Sequence, residues 1–384
     1  MKRVLFVFGT RPEAIKLAPL IFEVSARPNL EALVCVTGQH REMLDQVLSV
    51  FQLKPDWDLN LMREGQDLSG LTSRLFRDLA PVMESAQPDI VLVQGDTTSA
   101  LTGALSAYYS RTPVGHVEAG LRTGQKYSPF PEEVNRKLVG SIADIHFAPT
   151  ELAMSNLIAE GVSRGDIHVT GNTVIDALLW AENRLQTAPP GDSLIESQMD
   201  AIPEAIRNNA DGRLILVTGH RRESFGPDFE AICEALLKVV ERNKDVRLAY
   251  PVHLNPNVRE PVNRILGDID RIHLFEPPPY LGFVWLLSRS HLILTDSGGV
   301  QEEAPSLNKP VLVMRRVTER PEGIKAGCAR LVGVDPEEIV STTELLLNNP
   351  VEYERMSSAI NPYGDGTSAA QTADAIEEWV AKHG

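Results

Sequence analysis

Basic residues are in short supply in this chain: 37 Lys and Arg stand against 52 Asp and Glu, a net charge of −15 over 384 residues. That deficit counts against a nucleic-acid partner, because duplex binding rests on a basic face that displaces counterions from phosphates. It also requires any anionic ligand to be met by positive groups placed locally. Cysteine is scarce too. Cys35, Cys233 and Cys328 are odd in number and too widely spaced for a metal site, so they read as reduced, buried thiols of a cytosolic protein. Long apolar runs are missing at the start, where the stretch from Val4 to Phe8 is broken by Gly9, Thr10 and Arg11. It is too short for a signal peptide or a membrane span and reads as a buried strand entering a loop. There is no repeat with a period of roughly 20 to 50 residues and no low-complexity tract. The G-x-G-x-x-G spacing of a dinucleotide site and the G-x-x-x-x-G-K-[ST] phosphate loop are both absent, which counts against a nicotinamide enzyme and a nucleoside triphosphatase.

What is present is the composition of a globular protein, 43% hydrophobic and 23% charged, at a length that suits two domains. Short apolar runs alternate with amphipathic stretches. "RVLFVFGT", "ALVCVTG", "DIVLVQGD", "PVGHVEAG", "DIHFAPT" and "DIHVTGN" read as strands in the first half, separated by helical patterns such as "EAIKLAPLIFEVSA" and "EEVNRKLVGSIA". "RLILVTGH", "VRLAYPVH", "RIHLFEP", "LILTDSGG" and "PVLVMRR" continue the series. Apolar strands flanked by helices predict α/β architecture with parallel sheets covered on both faces. The expected organisation is two Rossmann-like, doubly wound domains with a ligand cleft between them. Residues 1–172, completed by the C-terminal helix 367–384, form the first domain, and residues 173–366 the second. The polar stretch within Asn172 to Gly212 reads as the inter-domain region.

Polar residues gather where strands end, the edge at which open parallel sheets bind ligands. "GTRPEAIK" places Arg11 and Lys16 near a helix start, two cations beside amide donors that suit an anion. Asp96 of "VLVQGDTTSA" suits either a helix cap or a site. Glu118 of "GHVEAGLRTG" ends an apolar strand and needs a partner, either Arg122 or a substrate. Glu132 and Glu133 open a helix, where the macrodipole favours acids in any case. In the second half, His220, Arg221 and Arg222 end a strand as a phosphate-facing run, and His253 ends the next. Ser297, Gly298 and Gly299 make a tight turn that lets backbone N–H groups approach a diphosphate. Glu302 and Glu303 fall in the first turn of the helix that follows, where at least one of them suits the hydroxyls of a ribose and helix-dipole compensation is the alternative account.

Together the segments "FGTRPEAIKLAPL", "GQHREMLDQVL", "GDTTSA", "PVGHVEAGLRTG", "YSPFPEEVNRK", "VTGNTVIDALL", "TGHRRESFG", "YPVHLNPNVREPVNRILG", "LTDSGGVQEEAPSL" and "NPYGDG" closely resemble the non-hydrolysing UDP-N-acetylglucosamine 2-epimerase family, in order, from Phe8 to Gly366. The resemblance implies a glycosyltransferase-B-like fold, a homodimer and reversible interconversion of UDP-GlcNAc and UDP-ManNAc, without cofactor or metal. It implies elimination of UDP to a 2-acetamidoglucal followed by re-addition. Carried over by motif, Asp96, Glu118 and Glu132 form the acid/base group, with His220 also catalytic. Arg11, Lys16, His220, Ser297, Gly298, Gly299 and Arg320 of "TERPEG" hold the diphosphate or its neighbourhood, Glu303 the ribose, and Phe283 packs near the uracil. Gln39, Gln66, Arg221 and His253 match positions implicated in binding a second UDP-GlcNAc as activator. The family pattern has other residues where Pro278 stands in "FEPPPYLGF", which leaves a backbone contact to the base there. A hydrolysing 2-epimerase, a glycosyltransferase of the same fold and a non-catalytic nucleotide-sugar sensor are the rival readings.

Overall fold

The computed structural model describes all residues except 39, 40, 62, 64, 66, 209–211 and 384, and the side chains of 41, 42 and 222 are likewise outside it. The chain divides into two compact units, Met1–Ala177 with Tyr363–Gly384, and Leu178–Pro362.

The first unit holds a seven-stranded sheet built from β1 (Lys2–Phe8), β2 (Leu30–Val36), β3 (Trp57–Asp58), β4 (Ile90–Gln94), β5 (Val114–Val117), β6 (Ile145–Ala148) and β7 (Ile167–Val169). Its order is β3-β2-β1-β4-β5-β6-β7, every pair parallel. Val4 to Phe8 and Ile90 to Val93 are fully buried, which is why these strands read as continuous apolar runs rather than as alternation. Leu75 and Leu79 of the helix Leu68–Ala86 close one core over β1 and β4. The C-terminal helix Ser368–His383 belongs to this unit and packs on the helix Arg11–Ser25. Asp176 accepts the Ala369 N–H at 2.9 Å at its start, and Arg27 meets Asp374 at 2.8 Å.

The second unit has six parallel strands, β8 (Arg213–Thr218), β9 (Val246–Pro251), β10 (Ile272–Phe275), β11 (Leu292–Thr295), β12 (Val311–Val313) and β13 (Ala329–Leu331), in the order β10-β9-β8-β11-β12-β13. Its core joins Ile215, Val217, Leu248 and Leu294 to the helix Pro227–Arg242. The described residues of the stretch expected to lie between domains are largely helical. The break between units falls inside the continuous helix Thr173–Thr187, and Ser193–Met199 and Glu204–Arg207 are helices of the second unit. Gln198 there accepts the Leu281 N–H, and the Ala205 carbonyl accepts from Arg247.

Each sheet reverses its winding once, between β1 and β4 and between β8 and β11. Connections on either side of such a point diverge and leave a crevice at the carboxyl ends of the strands. Arg11 and Asp96 follow β1 and β4; His220 and the Ser297 turn follow β8 and β11.

Two histidines in the first core make its stability pH-dependent. His116 and His146 are cross-strand partners on β5 and β6, each 1% exposed. Burial, reinforced by His146, lowers His116 to about 3; burial lowers His146 to about 4, against an opposing pull from Asp166. The unfolded chain takes up these protons near 6.5 and the folded chain does not, so stability falls as pH drops from about 6.5 towards about 4. Buried Glu13, raised by desolvation, acts in the opposite sense across the carboxylate range. A His146→Gln variant isolates one histidine: between pH 7 and pH 5 it should lose about 2 kcal/mol less stability than the parent chain. Urea titrations at the two pH values check this, and equal losses in both proteins would remove the buried histidine as the cause.

Candidate active site

In the first unit the loop after β1 is organised by Glu13, buried in the first turn of the helix Arg11–Ser25. Its Oε2 accepts the N–H groups of Gly9 (3.1 Å) and Thr10 (2.8 Å) and the Thr10 hydroxyl (2.7 Å). Its Oε1 accepts the Thr97 hydroxyl at 2.6 Å, so one carboxylate ties the loop carrying Arg11 to the loop carrying Asp96. Desolvation raises Glu13 while these donors pull it back. Thr97, rather than Asp96, caps the helix Thr98–Tyr109 by accepting the Ala100 N–H. That leaves the Asp96 carboxylate for Arg136, at 2.7 Å.

Glu118 comes immediately after β5 in the left-handed region, φ +61°. Arg122, one of the two partners expected for it, is engaged elsewhere, by Glu160 at 2.6 and 2.9 Å. Glu118 instead accepts from Lys16 Nζ (2.6 Å) and Asn172 Nδ2 (3.0 Å) on Oε1, and from Gln94 Nε2 on Oε2. A buried carboxylate at a strand end is thus paired and hydrogen-bonded. The helix Glu132–Ile142 completes the group, and its two leading acids divide their tasks. Glu133 accepts the N–H groups of Thr123 and Gly124, both at 3.0 Å, and Arg136 at 3.2 Å. Although burial pushes Glu133 up, those donors hold it below the usual carboxylate range. Glu132 has a buried Oε2 without a hydrogen-bond partner among the described residues. Asn135 and Arg136 reach from this helix to the Asp96 carbonyl (2.8 Å) and carboxylate. The structure thus places Lys16, Asp96, Glu118 and Glu132 at one edge of the sheet, with Arg11 at the neighbouring helix start.

In the second unit Asp296, 2% exposed, governs the loop after β8. Its Oδ2 accepts the N–H groups of His220 (2.7 Å) and Arg221 (2.8 Å). Its Oδ1, buried and without a hydrogen bond among the described residues, lies 3.6 Å from His220 Nδ1. His220 stacks on His253 with ring centroids 5.3 Å apart. Burial lowers His220, Asp296 opposes this, and His253 and Arg221 add to the lowering. Around the Ser297 turn, a Cβ placed on Gly298 would lie 3.7 Å from Arg221 Nη2 and 3.8 Å from Arg320 Nη2, so both guanidinium groups converge there. Arg320 Nε donates to Glu302, which is 2% exposed. Helix-end electrostatics is therefore an incomplete account of Glu302: it anchors this arginine. Glu303 follows at 8% exposure, and Phe283 is half-buried on the helix Tyr280–Arg289. Gly282 packs under Pro278, its Cβ position 3.0 Å from that of the proline. Of the activator candidates, Arg221 and His253 belong to this cluster, whereas Gln39 and Gln66 lie outside the described residues.

Reading the sequence alone missed Glu13, Gln94, Arg136, Asn172 and Asp296. Two of them carry a signal in hindsight: Gln94 is a polar residue ending the apolar run "IVLVQ", and Asp296 is an acid inside a Thr-Ser-Gly turn. Among the described residues, no group of three or more His, Cys, Asp or Glu is placed to hold a metal ion, and no helix is long and apolar enough to cross a membrane.

Two all-parallel α/β units, each with its polar cluster at the point where the sheet reverses, define a protein of the glycosyltransferase-B class of fold. The family model described as UDP-N-acetylglucosamine 2-epimerase matches residues 23–377. The UDP-N-acetylglucosamine 2-epimerase of Salmonella typhimurium is 55% identical over 377 residues, 98% of this chain and 99% of that protein. The Escherichia coli K12 enzyme of the same name is 54% identical over 375 residues, 98% of each. The crystal structure of the Neisseria meningitidis UDP-GlcNAc 2-epimerase, bound to UDP-GlcNAc, superposes with a TM-score of 0.88 at 45% identity, covering 98% of this chain and all of that one. The chain belongs to the UDP-N-acetylglucosamine 2-epimerase family.

Proposed function

We infer that this family member is a reversible, non-hydrolysing epimerase that interconverts UDP-GlcNAc and UDP-ManNAc. The C2 proton of the sugar is not next to a carbonyl, so direct deprotonation is a poor route. A carboxylate takes that proton, the C–H pair becomes the C1=C2 bond of a 2-acetamidoglucal, and the anomeric C–O pair leaves with UDP. Re-addition of UDP at C1, with a proton delivered to the other face of C2, gives the epimer; atoms and charge balance without a cofactor. The observation that carries this reading is the carboxylate set at one sheet edge: Asp96 on Arg136, Glu118 on Lys16, and Glu132 with an oxygen to spare. Such groups serve as positioned general acid and base.

Expelling a diphosphate calls for fixed positive charge and backbone donors. Arg320 and the Ser297, Gly298 and Gly299 turn supply these, with His220, Arg11 and Lys16 in the same role. Glu303 is assigned to the ribose and Phe283 to the uracil. The product would feed cell-surface polysaccharide synthesis in the cytoplasm, and the three buried free cysteines suit that location. The enzyme works as a homodimer in this reading. Arg221 and His253 are assigned to an activating second UDP-GlcNAc; His253 stacks on His220 and the Arg221 N–H shares the Asp296 oxygen that holds the His220 N–H, so a ligand on them would be felt by His220.

Incubation with UDP-GlcNAc in deuterated water should place deuterium at C2 of UDP-ManNAc, followed by NMR. Free ManNAc would identify a hydrolysing enzyme, and an unchanged sugar would defeat both. The same incubation begun from UDP-ManNAc should stay slow until UDP-GlcNAc is added; an immediate full rate removes the activator.

A further inference from the structure

We propose that Gln94 and Asn172 are positioning residues for the epimerisation, two buried amides that fix the Glu118 carboxylate so that it starts each turnover as the proton acceptor. The inference rests on the reading of Glu118 as a member of the acid/base group and adds residues that the reading does not contain.

Glu118 has little freedom to choose its own geometry. Its backbone is held at φ +61°, a conformation that side chains other than glycine adopt rarely. Its carboxylate is met by donors on both oxygens. Lys16 supplies charge to Oε1. The Gln94 amide, 3% exposed at the end of β4, donates to Oε2. The Asn172 amide, 2% exposed, donates to Oε1 at 3.0 Å.

The sense of the Asn172 amide is set independently of Glu118. Its Oδ1 accepts the Val174 N–H at 3.1 Å, so its NH2 must be the group turned towards the carboxylate. Its backbone N–H in turn donates to the Tyr363 carbonyl at 2.7 Å, which pins the residue that does the aiming. Gln94 is fixed from the other side: against an ionised Glu118 a carbonyl oxygen facing Oε2 would put two acceptors together, so only the NH2 fits. The titratable and charged neighbours of Glu118 include Lys16, from the helix Arg11–Ser25, and His116, two residues earlier and neutral because burial lowers it to about 3. An amide is the residue type this arrangement requires. It donates as a cation would, but without a second positive charge that would weaken the carboxylate as a base.

Gln94→Glu and Asn172→Asp keep size and shape while turning a donor into a second carboxylate beside Glu118; Gln94→Met removes the donor without adding charge. The experiment measures kcat, KM and the pH dependence of kcat/KM for UDP-GlcNAc. In both acidic variants the acid limb of the profile should move up by about one pH unit, and kcat at neutral pH should fall about tenfold with KM within about threefold. Gln94→Met should show a smaller move in the same direction. A purely structural role predicts a lower melting temperature and fewer active molecules with the acid limb in its parental place, and that outcome overturns the proposal. Glu118→Gln separates the two levels. If it retains parental turnover, the reading of Glu118 as acid or base fails. If it is inactive while the limbs of the amide variants coincide with the parent, only this inference fails.

Discussion

Glu118→Gln should bind UDP within about twofold of the parent chain and turn over UDP-GlcNAc about a thousandfold more slowly, the size expected for removal of a general acid or base. The substitution is nearly isosteric, so packing survives, but it replaces an acceptor-only group by one that carries its own NH2. Lys16, Gln94 and Asn172 all donate to this side chain. At least one of them would then face a donor, and the group proposed to exchange the C2 proton would be gone. UDP binding is the internal control, since the residues assigned to ribose and base lie in the second unit. Calorimetric titration of UDP together with the rate of UDP-ManNAc formation measures both quantities. Parental turnover would take Glu118 out of the chemistry; loss of UDP binding in step with turnover would make its role one of ground-state affinity.

Gly120→Ala should cost the first unit about 3 kcal/mol or more and lower its melting temperature by roughly 10 °C. Gly120 has φ +88°, and a Cβ there would overlap the Ala153 carbonyl oxygen and lie 2.7 Å from its carbon. That carbonyl belongs to the backbone of the helix Glu151–Ala159, so relief requires moving the helix and not merely a side chain. Gly124→Ala provides the comparison. Its φ is +74° but nothing lies within 4 Å of the added carbon, so it should show conformational strain alone, about 1 kcal/mol. Thermal melts of the two variants by circular dichroism separate overlap from strain. Equal, small losses would mean that the loop and helix part at little cost.

Long buried strands announce themselves in the sequence because both faces of a parallel sheet are covered, and β1, β4 and β8 carry the unbroken, buried apolar runs Val4–Phe8, Ile90–Val93 and Leu214–Val217 for that reason. β3 and β13 are edge strands of two and three residues with too little apolar length to signal themselves. The break between units, expected after residue 172, falls after Ala177, within the helix Thr173–Thr187, where no change of composition marks the exact position. Among site residues, the acids at strand ends were visible because ionisable groups are rare beside buried strands. What each acid does there was not. Glu132 and Glu133 are adjacent and chemically alike, and only the fold gives Glu133 to the Thr123 loop. Arg122 was one candidate partner for Glu118 by proximity, yet the side chains that meet it come from 102, 24 and 54 residues away. Long-range hydrogen bonds of this kind leave no local pattern to read.

The C-terminal helix Ser368–His383 lies against the first helix of the chain, and this sets an order of assembly on the ribosome. All of Leu178–Pro362 is synthesised before the segment that completes the first unit. The unit assigned to the nucleotide thus has its whole sequence available while the unit carrying Asp96, Glu118 and Glu132 still waits for its last piece. A translation product that stopped short of Tyr363 would contain every one of those carboxylates. It would lack the carbonyl that pins Asn172, and the helix onset that Asp176 accepts.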